Sequence, residues 1–137
     1  MSAERTPSTE QLIRLATEDG IDVVWHHGGH KGLWSPTSRR ISLRDDLDPV
    51  QERCTLAHEL GHARYGHPGG HDMHHETQAD EYAANLLVSP AEYALAEQVY
   101  GPSPPRLAAE LSITVHILTT WQCIWMRRHP SPLGITP

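Results

Sequence analysis

Asp48-Pro49-Val50-Gln51-Glu52-Arg53-Cys54-Thr55-Leu56-Ala57-His58-Glu59-Leu60-Gly61-His62-Ala63-Arg64-Tyr65 carries the strongest helical signal in the chain. Asp48 can cap, Pro49 suits the first helical position, and Gln51 can complete a capping box. Asp45, Asp46 and Asp48 suit the positive end of the helix dipole. A helix is therefore predicted over 48–65. Inside it, His58-Glu59-Leu60-Gly61-His62 has the form HExxH. Residues i and i+4 stand about 40° apart around a helix and one turn apart along it. Both imidazoles can then reach one tetrahedral zinc ion. Glu59 lies beside them, close enough to touch a metal-bound water without taking a coordination position.

The competing reading is a solvated helix with two surface histidines. The chain holds 11 histidines in 137 residues, so chance alone would place one such pentapeptide in roughly 6% of shuffled chains. A second pattern adds weight to the metal reading. A catalytic zinc needs a third protein ligand and keeps its fourth position for water. The next helical stretch, predicted from about His74 to Val88, begins Glu76-Thr77-Gln78-Ala79-Asp80. Glu76 and Asp80 share a helix face. Glu76 can be the third ligand, and Asp80 can accept a hydrogen bond from the outer nitrogen of His58, fixing its tautomer. The plainer alternative, an acidic helix start with solvated carboxylates, is common. Both patterns in this order arise by coincidence at a rate on the order of 1%. Ala57, Gly61, Ala79, Ala83 and Ala84 are small enough to let the two helices approach. Gly61 costs helix stability, so its presence asks for a packing reason.

The remaining elements follow from similar signals. Ser8 and Gln11 form a capping box for a first helix over 8–19, ended by Gly20. Ile21 to Trp25, His30 to Trp34 and Arg40 to Arg44 read as three strands, with Gly28-Gly29 and Ser35-Pro36-Thr37-Ser38 as turns. Ser89-Pro90-Ala91-Glu92 opens a helix to about Tyr100 as another capping box. Gly101-Pro102-Ser103-Pro104-Pro105 reads as a rigid linker, and residues 106–128 as a closing helix pair broken near Ser112-Ile113-Thr114. Strands cluster between the first two helices, which is an α+β pattern. The length suits one domain over 1–137, with 1–7 and 129–137 loose.

Composition narrows the function. Eleven Lys and Arg against 17 Asp and Glu leave a formal net charge of −6. A protein that grips phosphates needs clustered positive charge, so direct nucleic-acid binding is not expected. Cys54 and Cys123 form no CxxC pair, and no stretch approaches the roughly 18 apolar residues of a membrane helix. With no signal-peptide pattern at the start, a cytoplasmic protein is expected. Several groups could steady an oxyanion: His30, His71, His116, Tyr65 and Tyr93. His67, His71, His74 and His75 crowd a Gly- and Pro-containing stretch that reads as a wet loop, the sharper alternative being a pH-sensitive or metal-capturing lid. Cys54, one turn before His58, reads as a small buried hydrophobe more than as a metal neighbour. An extended substrate could pair with a sheet edge near Leu33 or Ile41.

Thr55-Leu56-Ala57-His58-Glu59-Leu60-Gly61-His62, followed by Glu76-Thr77-Gln78-Ala79-Asp80-Glu81-Tyr82-Ala83-Ala84-Asn85-Leu86-Leu87-Val88-Ser89-Pro90, resembles the ImmA/IrrE family of metallopeptidases. The family pattern is HExxH, then ExxA(D/N)xFA and an apolar run ending near Pro, with Tyr82 here in place of Phe. Leu107 to Thr114 resembles that family's closing helix–turn–helix-like segment. The resemblance implies a minimal zincin-like fold, with a small antiparallel three-stranded sheet beside the two metal-bearing helices. It implies Zn2+ on His58, His62 and Glu76, Glu59 as general base, and a protein substrate, often a DNA-binding repressor of phage, mobile-element or stress genes. Two rival readings remain open. One is a catalytically silent, zinc-stapled interaction module. The other is a DNA-binding protein using the final helix pair and its Arg127-Arg128 end.

Overall fold

The structure is a computed structural model and describes residues 6–130. The ends expected to be loose, 1–7 and 129–137, fall largely outside that range. Among the described residues the order is α1 (Thr9–Glu18), β1 (Asp22–His26), β2 (Gly32–Ser35), β3 (Arg40–Arg44), α2 (Pro49–Arg64), α3 (Met73–Leu87), α4 (Pro90–Tyr100), α5 (Pro104–Leu111) and α6 (Val115–Arg128). The architecture is α+β, as the element order implied.

Local chemistry sets the helix boundaries. Ser8 and Gln11 make the full reciprocal capping box on α1. At α2 the Asp48 carboxylate accepts from the Gln51 backbone, and at α4 the Ser89 hydroxyl accepts from the Glu92 backbone. In both, the side chain to N–H half of the predicted box is the half that forms. Asp72 caps α3 through the His75 N–H, so that helix starts at Met73. Pro104 and Pro105 belong to the first turn of α5 rather than to a linker, because a proline there sacrifices no helical hydrogen bond.

The sheet departs from the antiparallel arrangement expected. Its order is β1-β3-β2, with β1 parallel to β3 and β2 antiparallel to β3. Gly28 and Gly29, both at positive φ, do not fold β1 back onto β2 as a hairpin. They carry the chain over the end of β3 to its far side, a gap of two strand spacings or about 9.5 Å. The crossing is anchored at both ends: the Arg44 N–H donates to the Lys31 carbonyl and the Asp45 N–H to the His26 carbonyl. Two consequences matter for the site. β3 is internal, so Ile41 offers no free edge, and β2 is the one of the two edge strands, β1 and β2, that borders the cleft.

Helix α2 runs through the middle of the molecule. The sheet lies on one side and α3 on another, with α1 also against it. Cys54, Leu56, Ala57, Glu59, Leu60, Gly61 and His62 are all buried, so burial wraps the helix instead of following one stripe. Leu12, Ile41, Leu43, Leu56, Leu87, Leu107 and Leu118 are fully buried in one continuous core. Trp34 ties β2 to the segment that follows α2 by donating its indole N–H to the His67 carbonyl at 3.0 Å.

Gly61 shows why α2 and α3 can lie so close. A Cβ there would stand 2.9 Å from the Ala79 Cα and 3.0 Å from the Ala79 carbonyl oxygen. Those are backbone atoms, so relief requires moving a helix. An alanine gains about 1 kcal/mol in helix propensity, whereas overpacking a tight interface costs about 1–3 kcal/mol. Gly61→Ala is therefore expected to destabilise the protein, read as a lowered urea midpoint; an unchanged or raised midpoint would contradict this packing.

Candidate metal centre

His58 and His62 project from successive turns of α2, and Glu76 meets them from the first turn of α3. The Glu76 carboxylate reaches both rings: Oε1 lies 3.0 Å from His58 Nε2 and Oε2 lies 3.0 Å from His62 Nε2. The two Nε2 atoms are 3.2 Å apart. One ligand atom from each residue falls within 4.8 Å of the others, a spread that could hold a metal ion. Two imidazole nitrogens and a carboxylate oxygen form a donor set used by catalytic zinc sites.

The outer nitrogens are also engaged. His58 Nδ1 donates to Asp80 Oδ1 at 2.8 Å, and Asp80 Oδ2 lies 2.9 Å from His116 Nε2. One carboxylate thus joins a ring of α2 to a ring at the start of α6. Burial on its own would raise the Asp80 carboxyl, but the hydrogen bonds from His58 and His116 outweigh it and hold Asp80 below the usual value. Burial would likewise lower the His58 imidazole. The Asp80 hydrogen bond and the charges of Glu59, Asp80 and Glu76 reverse that and raise it. His62 goes the other way, lowered by burial and then by the neighbouring His58.

Glu59 is 6% exposed and faces the same cleft. Burial, reinforced by the charge of Glu76 and opposed by His58, pushes its carboxyl up to about 7. Strand β2 lies almost flush on it. A Cβ at Gly32 would come 2.6 Å from Thr55 Cγ2 and 2.9 Å from both Glu59 Cγ and Glu59 Oε2. Glycine is what lets the edge strand approach this carboxylate. The sequence carries a signal for this, since glycine inside a strand marks close approach, but nothing local to Gly32 says what approaches.

The cleft has a volume of about 500 Å³. Of the groups considered for steadying an oxyanion, His30, His71 and His116 line it. The His30 and His71 rings meet at its mouth with centroids 4.9 Å apart. Tyr65 is half exposed and stacks beside His67. Tyr93 lies elsewhere, accepting from Gln122 against Trp121. Cys54 is buried, and burial pushes its thiol up. The histidine-rich stretch is not uniformly wet. His71 and His74 are exposed, but His67 is 4% exposed and contacts His62. His67 sits where the chain turns back under α2, its N–H donating to the His62 carbonyl, and a Gly-Pro neighbourhood concealed that.

Compared with known protein families, residues 16–118 match the IrrE N-terminal-like domain, a peptidase family. No individual curated protein matches the chain. Among the described residues, no helix is long and apolar enough to cross a membrane.

The elevated Glu59 carboxyl has a measurable consequence in metal-free protein. Below about pH 4.5 the group is protonated whether the chain is folded or not. As pH rises toward about 7 the unfolded chain releases a proton that the folded chain still holds. Stability therefore falls across that window, by on the order of 3 kcal/mol. Urea melts of the metal-free protein between pH 4.5 and 8 should show a steeper fall than those of Glu59→Gln. Equal slopes would mean that Glu59 is not held in this environment.

Proposed function

The chain belongs to the IrrE N-terminal-like domain family of peptidases, and from that premise we propose that it is a zinc-dependent endopeptidase of the cytoplasm, with a protein as substrate. The observation that carries this reading is the convergence of His58, His62 and the Glu76 carboxylate in one cleft with the buried Glu59. His58, His62 and Glu76 would hold the ion. When bound, zinc supplies Lewis-acid polarisation of a peptide carbonyl and lowers the pKa of a coordinated water toward about 7.

The protein's own groups account for the rest. Glu59 takes a proton from the attacking water and returns it to the leaving amide nitrogen. Asp80 holds His58 in the tautomer that leaves Nε2 free to ligate. Strand β2 borders the cleft through Gly32, Leu33 and Trp34. As an edge strand it offers unpaired backbone groups to an extended peptide. Family resemblance supplies the candidate substrate, a DNA-binding repressor of phage, mobile-element or stress genes. A silent zinc staple fits less well, because a structural site gains nothing from an ionisable carboxyl whose burial costs free energy.

Elemental analysis of purified protein is expected to find zinc near one equivalent, and His62→Ala is expected to lose it. Glu59→Gln should keep the metal while cleavage of a protein substrate that the wild type cuts drops by about 10²- to 10⁴-fold. Undiminished function in Glu59→Gln would point to the silent module instead.

A further inference from the structure

We propose that His67 is a positioning residue for the ligand His62, and that Gln78 sets the orientation through which it acts. This extends the metal reading above and rests on it. The basis is a continuous chain of contacts in the buried part of the site. His67 Nδ1 lies 3.0 Å from His62 Nδ1, and His67 Nε2 lies 2.7 Å from Gln78 Oε1. The His67 backbone is fixed as well, its N–H donating to the His62 carbonyl and its carbonyl accepting from the Trp34 indole. The His75 ring stacks on it with centroids 4.1 Å apart.

With the Gln78 amide oxygen facing the ring and His67 neutral, the roles of these atoms follow one another. An amide oxygen only accepts, so His67 Nε2 carries the hydrogen that reaches Gln78. A neutral His67 protonated at Nε2 has a bare Nδ1, which accepts. The atom facing it, His62 Nδ1, must then bear a hydrogen and donate. That leaves the lone pair of His62 on Nε2, the atom 3.0 Å from the Glu76 carboxylate. The orientation of an amide on α3 thereby selects the ligating nitrogen of an imidazole on α2. His58 obtains the same result from Asp80. The two ligand histidines are thus oriented by different chemistries, one by a carboxylate and one by a neutral imidazole–amide pair.

A simple packing role for the His67 ring makes a different prediction, because a ring without nitrogens would then serve as well. Three variants separate the two: His67→Phe, His67→Asn and Gln78→Leu. Zinc affinity is read by chelator competition, the ligand field by the visible spectrum of the Co2+-substituted protein, and folding by thermal melts of the metal-free chains. His67→Phe should fold, bind zinc about 10- to 100-fold more weakly and show an altered Co2+ spectrum. His67→Asn offers an amide oxygen near the position of Nδ1 and should recover affinity to within about fivefold of wild type. Gln78→Leu should weaken zinc binding while leaving the His67 ring in place.

Wild-type affinity and an unchanged spectrum in His67→Phe would overturn the proposal. If His67→Phe does not fold, wild-type zinc affinity in Gln78→Leu overturns it, and weakened affinity there supports it. A wild-type chain that binds no zinc would overturn the metal reading itself, an outcome distinct from equal binding by wild type and variants.

Discussion

Everything at the site depends on how closely α2 and α3 approach. The candidate ligand atoms of His58 and His62 come from one helix and those of Glu76 from the next, so the spacing of the two backbones sets the distance between them. At Gly61 that spacing leaves no room for even one extra carbon over Ala79. A side chain there would act as a wedge, and the error would be transmitted along α3 to Glu76 and Asp80. The same principle operates on the opposite side of α2, where Gly32 brings β2 down onto Glu59. Two glycines, on different elements, hold the central helix between surfaces that neither could meet with a larger residue.

Within that frame the electrostatics are deliberately unbalanced. Glu59, Glu76 and Asp80 surround two imidazoles in one cleft, with Glu59 and His62 buried and Glu76 and Asp80 partly exposed. Asp80 is lowered because His58 and His116 hydrogen-bond to it, whereas Glu59 is raised because burial isolates it. His58 and His62 are pushed in opposite directions although they are one turn apart. Three carboxylates with so little cationic compensation form an environment that a divalent cation would relieve. The chemistry of the donors and the field around them therefore favour the same occupant.

The sequence exposed what is local and concealed what is not. The HExxH spacing, the Glu76–Asp80 spacing and the caps at Ser8, Asp48 and Ser89 are relations within a few residues, governed by helix geometry alone, and each has its counterpart in the structure. Gly61 was legible because a glycine in a strong helix needs a reason. Sheet order was not, because pairing β1 with β3 across an intervening strand leaves no mark at Gly28-Gly29 that distinguishes a crossing loop from a hairpin turn. His67 was hidden for a related reason. Its neighbours read as a loop, and its burial depends on Trp34 and Gln78, which are 33 and 11 residues away.

Asp80 spends its two oxygens on two helices, Oδ1 on His58 and Oδ2 on His116. The last helix among the described residues is thus joined through one carboxylate to an imidazole of the candidate metal centre. With an ion held there, linkage would make that coupling reciprocal: a contact elsewhere on α6 that shifted its first turn would change how firmly the ion is gripped, and the ion would in turn steady α6. Helix α6 would then be a handle on the candidate site, worked from outside the cleft.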